Sequence, residues 1–159
     1  MERLDSRTVY ANAWMTVRED RIRWPDGSTG IYGVVEKPDF ALVLPRWAEG
    51  FWMVEQFRYP VGRRAWEFPQ GSWGRGDGGS AAALARQELA EETGLRAETV
   101  THLGHLFEAY GFSTQGFDGL PGHGAGRGGA GAGGDRAGHG APAVYRRGDP
   151  GHGAGRLDR

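Results

Sequence analysis

Fifteen of the chain's 29 glycines fall within residues 119–159, a segment with no Glu and no Lys. Its large apolar side chains are Leu120, Val144, Tyr145 and Leu157. So few burying groups do not offset the entropy of ordering such a segment. The change is abrupt after Asp118, so the core has to come from what precedes it. The expectation is one folded domain over residues 1–118, itself incomplete, and a disordered, glycine-rich tail over 119–159. A slip of reading frame after Asp118 is an alternative origin for the tail. For one choice of third bases, a one-base shift turns the codons of Gly119 to Ala125 into Val-Phe-Leu-Ala-Thr-Gly-Leu. That is an apolar strand placed directly after Gly116-Phe117.

Before Asp118 the pattern is mainly strands with one clear helix. "GIYGVVEKP" is β-branched and ends at a proline. "FALVLP" and "FWMVEQF" flank the polar "RWAEG", closed by Gly50, which predicts a β-hairpin. "THLGHLFEAYGF" reads as a further strand. The formal net charge is −1, which gives no general attraction to nucleic acid or membrane. There is no cysteine, so no disulfide framework and no thiolate metal site. "MERLDSRTVYANAW" lacks the apolar core of a signal peptide, and no apolar run of membrane-spanning length occurs. A cytoplasmic protein is expected.

Ser80 follows two glycines and precedes an alanine run, which makes it a good N-cap. Residues 81–93 have strong helical propensity. Gly94 stands where a helix end needs a left-handed residue, and Leu95 can fold back onto the last turn. Leu84, Ala85 and Leu89 make an apolar stripe. Glu88, Glu91 and Glu92 occupy i, i+3 and i+4, where like charges cost a few tenths of a kcal/mol per pair. A divalent cation reverses the sign of that interaction, and carboxylate oxygens are what hard Mg²⁺ prefers. A solvated acidic face is the alternative reading of the same three residues.

A glycine loop before the helix, Glu-x-x-Glu-Glu on it and Gly-Leu at its end together resemble the signature of the Nudix family. Glu88 to Leu95 fits the second half of that signature position by position, and Gly71 fits its first glycine. Asp77 stands where the family has a Glu, and the spacing from Asp77 to Glu88 is two residues longer than the pattern. Gln87 replaces the family's Arg. Upstream, "VEQFRYPVGRRAWEFPQG" is similar to the branch that cleaves ADP-ribose and related compounds. The resemblance implies an α/β (α+β) fold, a mixed β-sheet sandwiched between helices, with its C-terminal part missing or disordered.

The resemblance also implies a reaction. It is magnesium-dependent hydrolysis of the diphosphate bond of a nucleoside diphosphate derivative, such as ADP-ribose or a nucleotide sugar. Glu88, Glu91 and Glu92 are the implied catalytic and metal-binding residues, and the Gln70 carbonyl is a further implied ligand. Mg²⁺ is the expected cofactor, with Mn²⁺ as a substitute. Arg58 and Glu67 are substrate-binding candidates; a surface arginine and a sheet-edge carboxylate are their bland readings. Trp14, Trp52, Trp66 and Trp73 suit base stacking, core packing or an interface. His102 and His105 read as exposed or hydrogen-bonded strand residues, not as metal ligands. The expected partners are a nucleoside diphosphate-linked small molecule and a second copy in a homodimer, with no nucleic acid and no membrane. The competing class is a catalytically silent nucleotide-binding module or an inactive remnant.

Overall fold

The computed structural model describes residues 1–47, 50–73, 79–124, 126–127 and 143–146. Three antiparallel strands come first: β1 (Glu2–Ala11), β2 (Thr16–Arg23) and β3 (Thr29–Glu36). Charged pairs tie them, Arg7 to Glu19 at 2.8 Å and Arg23 to Glu2 at 2.7 Å. Almost every residue of β1 is exposed.

The expected hairpin follows as β4 (Phe40–Trp47) and β5 (Gly50–Arg58), paired through Arg46–Phe51 and Trp47–Gly50. A 3-10 turn over Tyr59–Val61 ends on left-handed Gly62 (φ 63°) and returns the chain as β6 (Arg63–Glu67), antiparallel to β5. β7 (Gln70–Ser72) lies antiparallel to the start of β4, with Gly71 opposite Ala41. α1 (Ala81–Thr93) comes next, capped at one end by the Ser80 side chain accepting from Ala83 N–H and at the other by left-handed Gly94 (φ 70°). β8 (Leu95–Arg96) and β9 (Thr99–Val100) are short. "THLGHLFEAYGF" divides: β10 (Gly104–Phe107) is a strand, and residues 108–115 form a loop. β11 (Gly116–His123), β12 (Gly126–Arg127) and β13 (Ala143–Arg146) complete the described elements.

The main sheet runs β10-β11-β4-β5-β13, with β6 on β5, β7 on β4 and β9 on β11. It is mixed, because β11 lies parallel to β4. β4 is flanked on both edges, and its Ala41 and Val43 are fully buried. They meet Leu84, Ala85 and Leu89 of α1, with Leu95 and Leu120 closing the cluster. The apolar stripe predicted on the helix is therefore the face that covers the sheet.

The mixed sheet with a helix packed on it is the expected fold class, and among the described residues α1 is the one α-helix. One expectation changes. The composition break after Asp118 is not the end of ordered structure: β11 continues to His123, and Leu120 is 0% exposed in the core. Position in the sheet overrides composition, because neighbouring strands supply hydrogen bonds and burial that the segment's own side chains do not. Among the described residues no helix is long and apolar enough to cross a membrane.

Candidate active site

A cleft of about 560 Å³ opens beside β7, within the usual range for small-molecule sites. Lys37, Phe40, Arg58, Pro60, Glu67, Gln70, Gly71, Ser72, Glu108 and Gln115 line it. α1 packs on β4 and β7, which brings its carboxylates to this edge.

Gly71 shows how close that approach is. A Cβ built on it would lie 2.1 Å from Glu88 Cδ and 2.2–2.5 Å from the two carboxylate oxygens. Glycine leaves the space that the Glu88 carboxylate occupies, and a side chain here would displace that carboxylate. One turn on, Glu92 accepts from Gln70 N–H at 3.3 Å and from the Gln56 amide at 3.2 Å. Burial pushes the Glu92 carboxyl above its ordinary value, and the Glu67 charge adds to that. The hydrogen bonds from Gln70 and Gln56 and the Arg58 charge work against the rise without cancelling it. Glu91 is exposed and accepts from Gln87 Nε2 at 3.0 Å, so the residue replacing the family's Arg is engaged with Glu91.

Arg58 and Glu67, separate candidates in the sequence, are partners. β5 and β6 bring their ends together, and Arg58 Nε donates to both Glu67 oxygens at 2.7 and 2.9 Å, with a further bond from Nη2. That bond, first among the causes, raises the Arg58 pKa, and Glu92 and Glu108 add smaller attractions. The guanidinium is therefore oriented while its outer side still borders the cleft.

The carboxylates suit a hard cation. Glu88 and Glu92 stand against the β7 backbone, and every available donor is oxygen. Among the described residues no group of three His, Asp or Glu side chains is assembled as a metal-holding cluster. Mg²⁺ is commonly bound through one or two carboxylates, with water and substrate phosphate completing its octahedron, and that is the kind of site these residues fit. Asp77 lies outside the described residues.

Of the tryptophans, Trp52 and Trp73 pack against the core and Trp14 is 74% exposed. His102 Nε2 lies 2.7 Å from Asp118 Oδ1, so it is hydrogen-bonded as expected, but it precedes β10 and is not a strand residue. Lys37, Phe40, Glu108 and Gln115 were not singled out in the sequence. They stand at strand ends and in a loop that only the parallel pairing of β11 with β4 brings together, and no local pattern marks them.

Residues 37–124 match the NUDIX domain, and residues 1–35 match the nucleoside diphosphate sugar hydrolase N-terminal domain. The chain is 35% identical over 115 residues to the ADP-ribose pyrophosphatase of Mycobacterium tuberculosis, covering 72% of this chain and 55% of that one. It is 28% identical over 121 residues to the ADP-ribose pyrophosphatase of Bacillus subtilis, covering 72% of this chain and 64% of the relative. It thus spans less than two thirds of the length of either. Among solved structures, one described as an ADP compounds hydrolase superposes with a TM-score of 0.76 at 17% identity. The superposition covers 91% of this chain and 77% of that one, a likeness of fold.

Proposed function

The chain belongs to the Nudix family, and from that membership we propose that it hydrolyses the diphosphate bond of a nucleoside diphosphate derivative with Mg²⁺. ADP-ribose is the substrate to test first, with nucleotide sugars next. The observation that carries the reading is the Glu88 carboxylate seated over Gly71, with Glu92 held by Gln70, so that both stand against residues of a cleft lined by Gln70, Gly71, Arg58 and Glu67.

Glu88 and Glu92 would hold the metal, with Glu91 and the Gln70 carbonyl as further ligands. When bound, the ion spreads the negative charge that develops on the diphosphate and lowers the pKa of water. The chain's own groups do the rest. Arg58 presents a planar guanidinium to a phosphate, and Glu67 fixes its orientation. Lys37 adds positive charge at the cleft edge. Water attacks one phosphorus and the bond to the bridging oxygen breaks. The products are two phosphomonoesters, AMP and ribose 5-phosphate in the case of ADP-ribose, and no covalent intermediate is needed.

The test is AMP release from ADP-ribose with Mg²⁺ and with chelator, in the unaltered chain and in Glu88→Gln. We expect hydrolysis that depends on the metal and falls by orders of magnitude in the variant. Equal turnover in both chains, or none from any nucleoside diphosphate derivative, would overturn the reading. In the latter case binding without turnover would favour the silent module. A homodimer is the proposed assembly, supported by the open face of β1 and by exposed Trp14, Ile31, Tyr110 and Phe112. Light scattering that returns a monomer's mass would reject it.

A further inference from the structure

Gln115 is a buried neutral polar side chain of the cleft that the reaction above leaves unused. It is 5% exposed. Its Nε2 donates to the Pro38 carbonyl at 2.7 Å, which settles which way the amide faces. The backbone on either side is pinned as well: Gln115 N–H donates to Ser113 Oγ at 3.1 Å, and Gly116 N–H to Asp39 Oδ1 at 2.7 Å. Among the described residues none donates to Gln115 Oε1, and that oxygen is not sealed from solvent. The residue lines the cleft. Phe40 lines the same cleft and stacks on Phe117, ring centroids 5.2 Å apart and 22° between planes. A ring braced in this way is a firm apolar surface for a flat aromatic ligand.

We propose that Gln115 turns its Oε1 acceptor, fixed by the Nε2–Pro38 bond, to the cleft and selects nucleobases with an exocyclic amine at purine C6 or pyrimidine C4, with Phe40 as the apolar contact for the ring. Adenine and cytosine present a donor at that position, whereas hypoxanthine, guanine and uracil present a carbonyl oxygen. Two acceptors facing each other lose the bond and leave both groups unpaired, and a site built to hydrogen-bond a ligand discriminates most strongly in that circumstance. Rotation of the amide does not rescue the wrong base, because it would turn Oε1 onto the Pro38 carbonyl. The cleft has other chemistry to weigh. Lys37 can donate to a base carbonyl, but it is exposed at the edge and suited to phosphate. The Glu108 carboxylate can also accept, yet it acts on Arg58. The Gln70 amide is oriented too, its Nε2 donating to Glu67 Oε2 at 3.2 Å, but that bond ties it to the carboxylate end of the cleft. Gln115 is the oriented acceptor two residues from Phe117, on which Phe40 stacks. The inference rests on the reading of the cleft as a nucleoside diphosphate site.

The test needs no altered protein at first. Calorimetry in chelator measures binding of ADP, of purine riboside 5′-diphosphate, which lacks only the amine, and of IDP. CDP and UDP repeat the comparison on a pyrimidine. ADP should bind at least about tenfold tighter than either amine-free purine, and CDP tighter than UDP. Gln115→Met, of similar length and without an acceptor, should bring the ratio towards one by weakening ADP rather than by strengthening IDP. Equal affinity for ADP and the amine-free purine in the unaltered chain overturns the proposal whatever the variant does. Hydrolysis separates the two readings. If ADP-ribose and its inosine counterpart are cleaved at equal kcat/KM, base selection fails and the hydrolase stands. If ADP is preferred tenfold but no derivative is cleaved, the hydrolase fails and base selection stands. Failure of every nucleotide to bind removes both.

Discussion

At Gly71 the backbone has room for a hydrogen and little else, since an added methyl would overlap the Glu88 carboxylate. The obstacle is the end of a flexible side chain, so Gly71→Ala should fold with little change in Tm while Glu88 is displaced. A displacement of about 1 Å at a reacting centre can cost on the order of 100-fold, and kcat for ADP-ribose should fall by at least that much. A variant with full turnover would mean that Glu88 has no need of its place over β7. Glu92 makes a second prediction, through pH. Its folded-state pKa is raised by burial, so between the ordinary carboxyl value and the raised one the folded chain holds more protons than the unfolded chain. Stability of the metal-free protein therefore falls as pH rises through that window. Glu92→Gln removes the ionisation. It can still accept from Gln70 N–H, with the Gln56 amide turned to face its new donor. In chelator the variant should melt above the parent at pH 8, and the difference should vanish as pH drops below the ordinary carboxyl value. Added Mg²⁺ should raise the parent's Tm and not the variant's. Glu88, Glu91 and Glu92 were legible in the sequence because one helical turn holds all three. The Arg58–Glu67 pair and Gln115 were not, since each depends on strand ends that meet only in the folded sheet.

The helix α1 was legible to the residue, and its ends explain why. Ser80, Gly94 and the Leu84, Ala85, Leu89 stripe are local signals, each readable without knowing the partner surface. Each end also has a measurable worth. Ser80→Ala removes the oxygen that accepts from Ala83 N–H and should cost about 1 kcal/mol in urea unfolding. Gly94→Ala forces a Cβ into a left-handed residue at φ 70° and should cost about as much or more. No loss in either variant would mean that α1 is held by packing alone. The strands β1 and β2 carried no comparable signal. β1 is almost wholly exposed, and β2 alternates in burial only over residues 20–23, where one of the two buried residues is a carboxylate, so neither shows the apolar and polar alternation of a half-buried strand. Cross-strand pairs such as Arg7–Glu19 hold them together, and pairing of that kind appears only once the register is known.

Across the whole molecule, β11 is where sequence and fold disagree most. The strand lies between β4 and β10, carries the fully buried Leu120, and contains Gly119, Pro121 and Gly122. Proline has no N–H to give a ladder and belongs at edges, and glycines inside a strand add no packing. The reading-frame alternative replaces these residues with Gly119→Val, Leu120→Phe, Pro121→Leu, Gly122→Ala and His123→Thr, and leaves Gly124 unchanged. The structure bears on several of these changes. A Cβ on Gly119 would make an ordinary contact with Leu103 at 3.9 Å. One on Gly122 would press on Ala97 at 3.1 Å, which admits a methyl more readily than anything larger. Gly124 has φ 67° and Glu98 at 2.8 Å from an added Cβ, so glycine is needed where the shifted frame keeps it. Leu120→Phe is the costly member, since overpacking a closed core takes about 1–3 kcal/mol. The sharp test therefore leaves Leu120 alone. Gly119→Val with Pro121→Leu restores one strand donor and one buried branched side chain to the sheet. Tm should rise by several degrees, at about 2–8 °C per kcal/mol for a chain in this size range, and amide exchange in β4 should slow with it. An unchanged or lower Tm would show that β11 is at home with its glycines and proline, and the shifted frame would lose its structural support. The nucleotide sequence around the codon for Asp118 decides the same question independently, because an extra base there predicts both the glycine-rich letters and the strand they displace.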